Sequence, residues 1–118
     1  MPPVILVLED DSATRNALVE ALRTLFARAR VVAGPGDAAA GVVAREGAKV
    51  VLASLAAVER LWREGVPAGV AVVALTREMS PDTLMRAEAL GAAGALRTPA
   101  GAEQLAAVLG PMLDGPPQ

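Results

Sequence analysis

The sequence lacks cysteine, histidine and tyrosine altogether. Without cysteine there is no disulfide, no thiol nucleophile and no thiolate metal ligand, and without histidine the commonest general base is missing. Phe26 and Trp62 are its aromatic side chains, which is too few for the stacking platform that binds single-stranded nucleic acid. Because no nucleophile–base pair can be assembled from what remains, we do not expect an enzyme.

Charge and hydropathy argue against a nucleic-acid-binding protein and against a membrane-spanning protein. The formal net charge is -2, and the basic residues are scattered among acids, so no basic surface for nucleic acid is expected. Apolar runs are shorter than a membrane span, and the start, Met1–Pro3, lacks the basic stretch of a secretory signal. We expect a soluble, cytoplasmic chain with one domain over residues 1–113, followed by a tail or the start of a linker at 114–118.

Short aliphatic runs alternate with segments of helical spacing. Ser12 is the predicted cap of a first helix, Asp37 that of an alanine-rich helix ending near Arg45, and Ser80 with Pro81 marks a later helix start. Because continuously apolar strands alternate with helices, we predict a parallel sheet covered by helices on both faces. The runs predicted as its strands are Val4–Leu8, Arg30–Ala33, Val50–Ala53, Val70–Leu75 and Gly94–Leu96.

Loops that follow neighbouring parallel strands meet at one edge of such a sheet, where ligands usually bind. The acids Glu9, Asp10 and Asp11 follow the first predicted strand, and small or hydroxyl residues follow the later ones. Two interpretations of the acids remain open. They either hold a divalent cation, or they form a solvated turn that favours the N-terminus of the next helix.

In order and spacing, these segments resemble the receiver domain of bacterial two-component response regulators. Residues 5–11, ILVLEDD, resemble the first strand and acidic pair of that family. Residues 72–76, VVALT, resemble its fourth strand, and residues 91–99, GAAGALRTP, resemble the segment that normally ends in Lys-Pro. The resemblance implies an α/β fold, the flavodoxin-like (βα)5 doubly wound parallel five-stranded sheet with strand order 2-1-3-4-5.

The resemblance also implies a chemistry. In the family, an aspartate after the third strand takes a phosphoryl group from a partner's phosphohistidine, while two acids after the first strand hold Mg²⁺. A lysine and a hydroxyl contact the phosphoryl oxygens, and an aromatic on the fifth strand swings inward. Here Glu9 and Asp10 match the metal-binding acids, Thr76 matches the hydroxyl, and Pro99 matches a proline that usually follows a cis peptide bond.

The reacting parts of that chemistry are replaced. The phosphoacceptor position falls on Ala53, or on Ser54 if the register shifts by one, the lysine position on Thr98 and the aromatic position on Ala95. A methyl group cannot form an acyl phosphate, and a serine without an adjacent base is a poor nucleophile. We therefore predict an atypical receiver, or pseudo-receiver, without catalytic residues. Its acidic pocket is vestigial and binds Mg²⁺ weakly at best, and no other cofactor is expected; the pocket consists of Glu9, Asp10 and Asp11.

The resulting hypothesis is a module of phosphorelay-type signalling that acts through protein–protein contacts without aspartyl phosphorylation. A protein partner or a homodimer is expected on the face of the fourth predicted helix, fifth strand and fifth helix, which covers residues 80–90, 95–97 and 101–112. One alternative is a fragment of a larger regulator with a DNA-binding or enzymatic output domain. Another is a flavodoxin-like small-molecule binder, which is disfavoured because acids replace a Gly-rich phosphate loop after the first strand.

Overall fold

The computed structural model describes residues 2–34, 43, 45–67 and 69–114. Within these ranges the strands are β1 (Val4–Leu8), β2 (Arg30–Gly34), β3 (Ala48–Ser54), β4 (Ala71–Thr76) and β5 (Gly94–Arg97). The helices are α1 (Ser12–Leu25), α2 (Leu55–Glu64), α3 (Pro81–Ala89) and α4 (Ala102–Asp114). The predicted helix between Asp37 and Arg45 lies mostly outside the described residues, so the fourth and fifth predicted helices are α3 and α4. No helix in the described ranges combines the length and apolar content that a bilayer crossing requires.

All strand pairs are parallel, and the sheet order is β2-β1-β3-β4-β5. This order confirms the predicted flavodoxin-like fold. Leu8 at the end of β1 pairs with Gly34 on one side and Ala53 on the other, and Ala53 in turn pairs with Ala74 of β4. The carboxyl ends of β1, β3 and β4 therefore lie side by side at one edge.

Apolar residues cover both faces of the sheet. Along β1 and β3 successive side chains alternate between the two faces, as strand geometry requires. Ile5 and Leu52 pack in the layer under α1 and α4, whereas Leu6 and Ala53 pack in the layer under α2 and α3. Because both faces are buried, these strands have the near-continuous apolar sequence that parallel strands show.

Hydrogen-bonding side chains fix the starts of three helices. Ser80 caps α3 as predicted, accepting from the Thr83 N–H at 3.1 Å. The prediction that Ser12 caps α1 is wrong, because Ser12 is the first residue of the helix and Asp11 is its N-cap. The carboxylate of Asp11 accepts hydrogen bonds from both the N–H and the hydroxyl of Thr14, at 2.9 and 2.6 Å. These two bonds make Asp11 the capping residue.

Trp62 lies at the junction of α2 and the turn after α3. Its side chain is 40% exposed, and the rest of the ring covers Gly91, where an added Cβ would lie 3.3 Å from the ring. Glu59 connects the same two helices, at 2.9 Å from Arg63 and 3.7 Å from Arg86. Trp62 therefore both packs against the protein and presents apolar surface.

Candidate functional site

The acidic residues follow β1 directly and lead into α1. Glu9 is half-buried, and its backbone N–H donates to the carbonyl of Gly34 at 3.1 Å. Asp10 and Asp11 are exposed. The Nη1 group of Arg15 on α1 donates to the backbone carbonyl of Glu9 at 2.9 Å. Both β2 and α1 therefore hold the backbone of this turn.

The carboxyl groups of this turn are not equivalent. Burial raises the pKa of Glu9, and the neighbouring carboxylate of Asp10 adds to the rise, while the Asp11 N–H and the Arg77 guanidinium oppose it. The hydroxyl and then the N–H of Thr14 lower the pKa of Asp11, with a smaller contribution from Arg77. Asp11 is thus an ionised helix cap, whereas the position of Glu9 is less favourable to charge.

The end of β3 carries no acid. Ala53 is 0% exposed, and its methyl group belongs to the apolar layer under α2 and α3. The hydroxyl of Ser54 accepts from the Ala57 N–H at 3.3 Å and so caps α2. Both residues therefore have structural roles at this strand end.

Backbone groups bind the hydroxyls of Thr76, the last residue of β4, and of Thr98, which follows β5. The Thr76 hydroxyl donates to the Glu78 carbonyl at 2.8 Å and accepts from the Glu78 N–H at 3.2 Å. The Thr98 N–H donates to the Thr76 carbonyl at 2.7 Å, and the Thr98–Pro99 peptide bond is cis. Ala95, on β5, pairs with Ala74 and is half-buried.

Two grooves border this region. A groove of about 460 Å³ separates α1 from the loops after β4 and β5, and Thr14, Arg77 and Thr98 contribute to its walls. A second groove, of about 400 Å³, lies beside the edge strand β5 and is lined by Met79, Ala95, Arg97, Gln104 and Val108 among others. Arg77 was not among the predicted site residues; it follows β4 directly and lines the first groove.

The geometry fits a resident Mg²⁺ ion poorly. Mg²⁺ requires several oxygen ligands in near-octahedral geometry. Asp11 already accepts from Thr14, and Ala53 places a methyl group on the adjacent strand. Across the described part of the chain, no group of three or more acidic side chains is arranged to hold a metal ion.

Solved structures with the same fold include signalling proteins. The chain is similar to the chemotaxis protein CheY4 of Vibrio cholerae, with a TM-score of 0.81 and 20% identity over 96% of this chain and 100% of that one. It is similar to the receiver domain of the Saccharomyces cerevisiae response regulator Ssk1, solved with a histidine phosphotransfer protein (TM-score 0.74, 17% identity, 92% and 87% covered). It is also similar to a Burkholderia pseudomallei protein named as pilus assembly-related, with a TM-score of 0.76 and 22% identity over 98% of this chain and 92% of that one.

These similarities show that the chain has the CheY-like receiver fold. No family model matches the sequence, and no curated protein matches it. The fold is thus found in signalling modules, and fold alone does not assign a function.

Proposed function

We propose that this protein is an atypical receiver module of phosphorelay-type signalling that acts through protein contacts and is not switched by phosphorylation of an aspartate. The observation that carries the proposal is the fully buried methyl group of Ala53 at the end of β3, in register with Leu8 and Ala74. A methyl group has no oxygen on which an acyl phosphate can form. The module therefore lacks the acceptor on which a receiver switch depends.

The surrounding residues support the same interpretation. Thr98 is uncharged, and its N–H and hydroxyl both point to the carbonyl of Thr76. The Thr76 hydroxyl is already bonded to the backbone of Glu78. Ala95 has no ring that could rotate between an inward and an outward position. We infer that the module is not an enzyme and that Glu9 and Asp10 bind Mg²⁺ weakly at best.

The proposed contact face consists of α3, β5 and α4. On α3, Leu84 is 46% and Met85 is 68% exposed, and Met79 just before the helix is 39% exposed. Exposed apolar side chains next to a groove are typical anchors of protein contacts. We expect a protein partner or a second copy of the chain here, in the cytoplasm, and no nucleic acid or membrane. The Ssk1 receiver, solved with a phosphotransfer protein, is a precedent for a protein partner of this fold.

Two alternatives from the sequence remain as proposals of lower rank. In the first, the module is a fragment of a larger regulator, in which a DNA-binding or enzymatic output domain would respond to the contact. A small-molecule ligand would have the groove of about 460 Å³ beside α1, although the adjacent acids repel a phosphate group.

Phosphoryl transfer is the direct test. The purified protein is incubated with acetyl phosphate and Mg²⁺ and examined by intact mass spectrometry. We expect no gain of a phosphoryl group. A receiver domain with its acceptor aspartate, treated alike, shows that the donor is active. A hydroxylamine-sensitive phosphoryl adduct on the unmodified protein would overturn the proposal.

The contact face is tested separately by the variant Met85→Glu. Placing a charge on this exposed position should weaken self-association or partner binding by about tenfold or more, equivalent to about 1.4 kcal/mol. Asn16→Glu, which places the same charge on the exposed surface of α1, is the matched control. Sedimentation equilibrium measures self-association, and affinity capture measures partner binding. Equal behaviour of both variants would exclude this face.

A further inference from the structure

Two of the three exposed large apolar side chains on the contact face are methionines. Met85 on α3 is 68% exposed, Met79 just before the helix is 39% exposed, and Leu84 between them is 46% exposed. Met79 also lines the groove beside β5, together with Arg97 and Val108. Two thioether side chains are therefore accessible to solvent on the surface where we place the partner.

The third methionine in the described ranges has a different environment. Met112 on α4 is half-buried and packs against the apolar layer under α1 and α4. Its methyl group would lie 3.6 Å from a Cβ atom added to Gly94. Met1 lies outside the described residues. In the part of the chain that the structure describes, the exposed methionines thus occur on the contact face alone.

The composition of the chain makes these thioethers the natural targets of a mild oxidant. The sequence has no cysteine, so no thiol competes for a peroxide. Hydrogen peroxide transfers one oxygen atom to the methionine sulfur: the O–O bond breaks, an S=O bond forms, and water leaves. The sulfur loses two electrons, and the peroxide is reduced by the same two electrons. The product, methionine sulfoxide, is polar and chiral where the thioether was apolar and flexible.

We propose that Met85 and Met79 are oxidation sites through which a peroxide weakens the protein contact, and that reduction of the sulfoxides restores it. This inference rests on the proposed function, because it concerns the regulation of that same face. A thioether that docks against a partner is stabilised by leaving water, whereas a sulfoxide oxygen that docks without a hydrogen-bond donor loses its hydration. Before docking, water solvates either form at these exposed positions, so oxidation removes the contact and leaves the fold intact.

The change is chemically reversible. A methionine sulfoxide reductase takes two electrons from two thiols, which form a disulfide in the reductant, and the sulfoxide oxygen leaves as water. The face would then alternate between an apolar state that docks and a polar state that does not. The supply of peroxide and of thiol reductant would set the balance between the two states.

The test compares the unmodified protein, the double variant Met79→Leu/Met85→Leu and the control variant Met112→Leu, each before and after treatment with dilute hydrogen peroxide. Leucine has a similar volume and apolar character but no sulfur to oxidise. Peptide mass spectrometry measures the gain of an oxygen atom at each methionine. Sedimentation equilibrium and affinity capture measure the contact, and circular dichroism monitors the fold.

Met85 should be oxidised first, Met79 next and Met112 last, in the order of their exposure. Oxidation of the unmodified protein and of Met112→Leu should weaken the contact roughly tenfold, since apolar anchors become polar. Treatment with a methionine sulfoxide reductase and a thiol should reverse the loss. The double leucine variant should keep its contact under peroxide, and all circular dichroism spectra should stay unchanged.

The outcomes separate this proposal from the proposed function. An unchanged contact after full oxidation of Met85 would overturn the proposal and leave the contact face in place. An equal loss in the double leucine variant, or oxidation of Met112 ahead of Met85, would overturn it as well. If Met85→Glu behaves like Asn16→Glu before any oxidation, the contact face itself is excluded, and the proposal fails together with it.

Discussion

β1 and β3 are neighbours in the sheet and end at the same edge, yet their ends are chemically opposite. β1 runs into Glu9, Asp10 and Asp11, whereas β3 ends in a fully buried Ala53 and the helix cap Ser54. The two strands pair in regular register from Ile5 to Leu8, so their ends have the same backbone arrangement and differ only in their side chains. The comparison teaches that neighbouring strands of this fold can end in acidic side chains on one strand and in a buried methyl group on the other.

The two strand ends also differ in what keeps their residues in place. Asp11 caps α1, so an acid there has a structural reason to remain. The methyl group of Ala53 fits an apolar layer, where a carboxylate would lose its hydration. Stability alone therefore accounts for an acid after β1 and for a small apolar residue at the end of β3.

Among the substitutions considered, Ala53→Asp should have the largest effect on the stability of the fold. A carboxylate in this buried position should lower the free energy of unfolding by about 3 kcal/mol at neutral pH, because it lacks compensating partners. Burial raises the pKa of the introduced carboxyl group, so its neutral form is more accessible and the loss should shrink as the pH falls. Urea unfolding at neutral and acid pH measures both effects.

Its control is Ser54→Asp on the adjacent residue. Aspartate is as good an N-cap as serine, so the change in unfolding free energy should stay within about 0.5 kcal/mol. If both variants lost equal stability, burial would not be what separates the two positions.

From the sequence, the position of the site residues at one edge of the sheet could be predicted better than the hydrogen bonds that their side chains make. Alternation of apolar runs and helices was enough for the sheet. Three strands are longer than the predicted runs, as for Ala48–Ser54 against the predicted Val50–Ala53, whereas β1 has the predicted bounds and β4 is shifted by one residue. The cap of α1 was placed one residue too late, at Ser12, because serine and aspartate are both good caps and the decisive bond to Thr14 is three-dimensional. Arg77 was not among the predicted site residues, since it shares a groove with Thr14, which lies far away in the sequence.

A smaller effect is expected for Ser54→Ala, which removes the cap of α2. The 3.3 Å bond to the Ala57 N–H is lost, and stability should fall by about 1 kcal/mol. Ser12→Ala is the control, because Ser12 is not the cap of α1 and should change stability by less than about 0.5 kcal/mol. Chemical unfolding at neutral pH separates the two. An equal loss in both would contradict the cap assignments.

The smallest effect is a pH dependence at the acidic turn. The folded-state pKa of Asp11 is lowered by Thr14, so this group stabilises the fold above its ordinary pKa and loses that contribution as the pH falls through the lowered value. Asp11→Asn keeps a capping oxygen but not the titration, so its Tm should vary less with acid pH than that of the unmodified protein. The carboxylates of Glu9 and Asp10 and the guanidinium groups of Arg15 and Arg77 set the local field.

Glu9 should show the opposite sign. Burial raises its folded-state pKa, so its charged form opposes folding above the ordinary pKa, and protonation relieves this cost as the pH falls. Glu9→Gln should therefore widen the gap in Tm between neutral and acid pH, because it removes a group whose protonation partly offsets the acid loss of stability. Parallel pH profiles for the Asp11 and Glu9 variants would refute the opposite assignments.

The placement of the one tryptophan gives the molecule an intrinsic optical reporter. Helix α2 begins at the edge where the acids lie and runs back across the sheet, so Trp62 near its end is at the far end of the helix, over Gly91. Its fluorescence emission should change when binding displaces the turn after α3, and it should change little when ions bind at the acidic turn. A single fluorescence trace can thus separate docking from ionic effects without any attached dye.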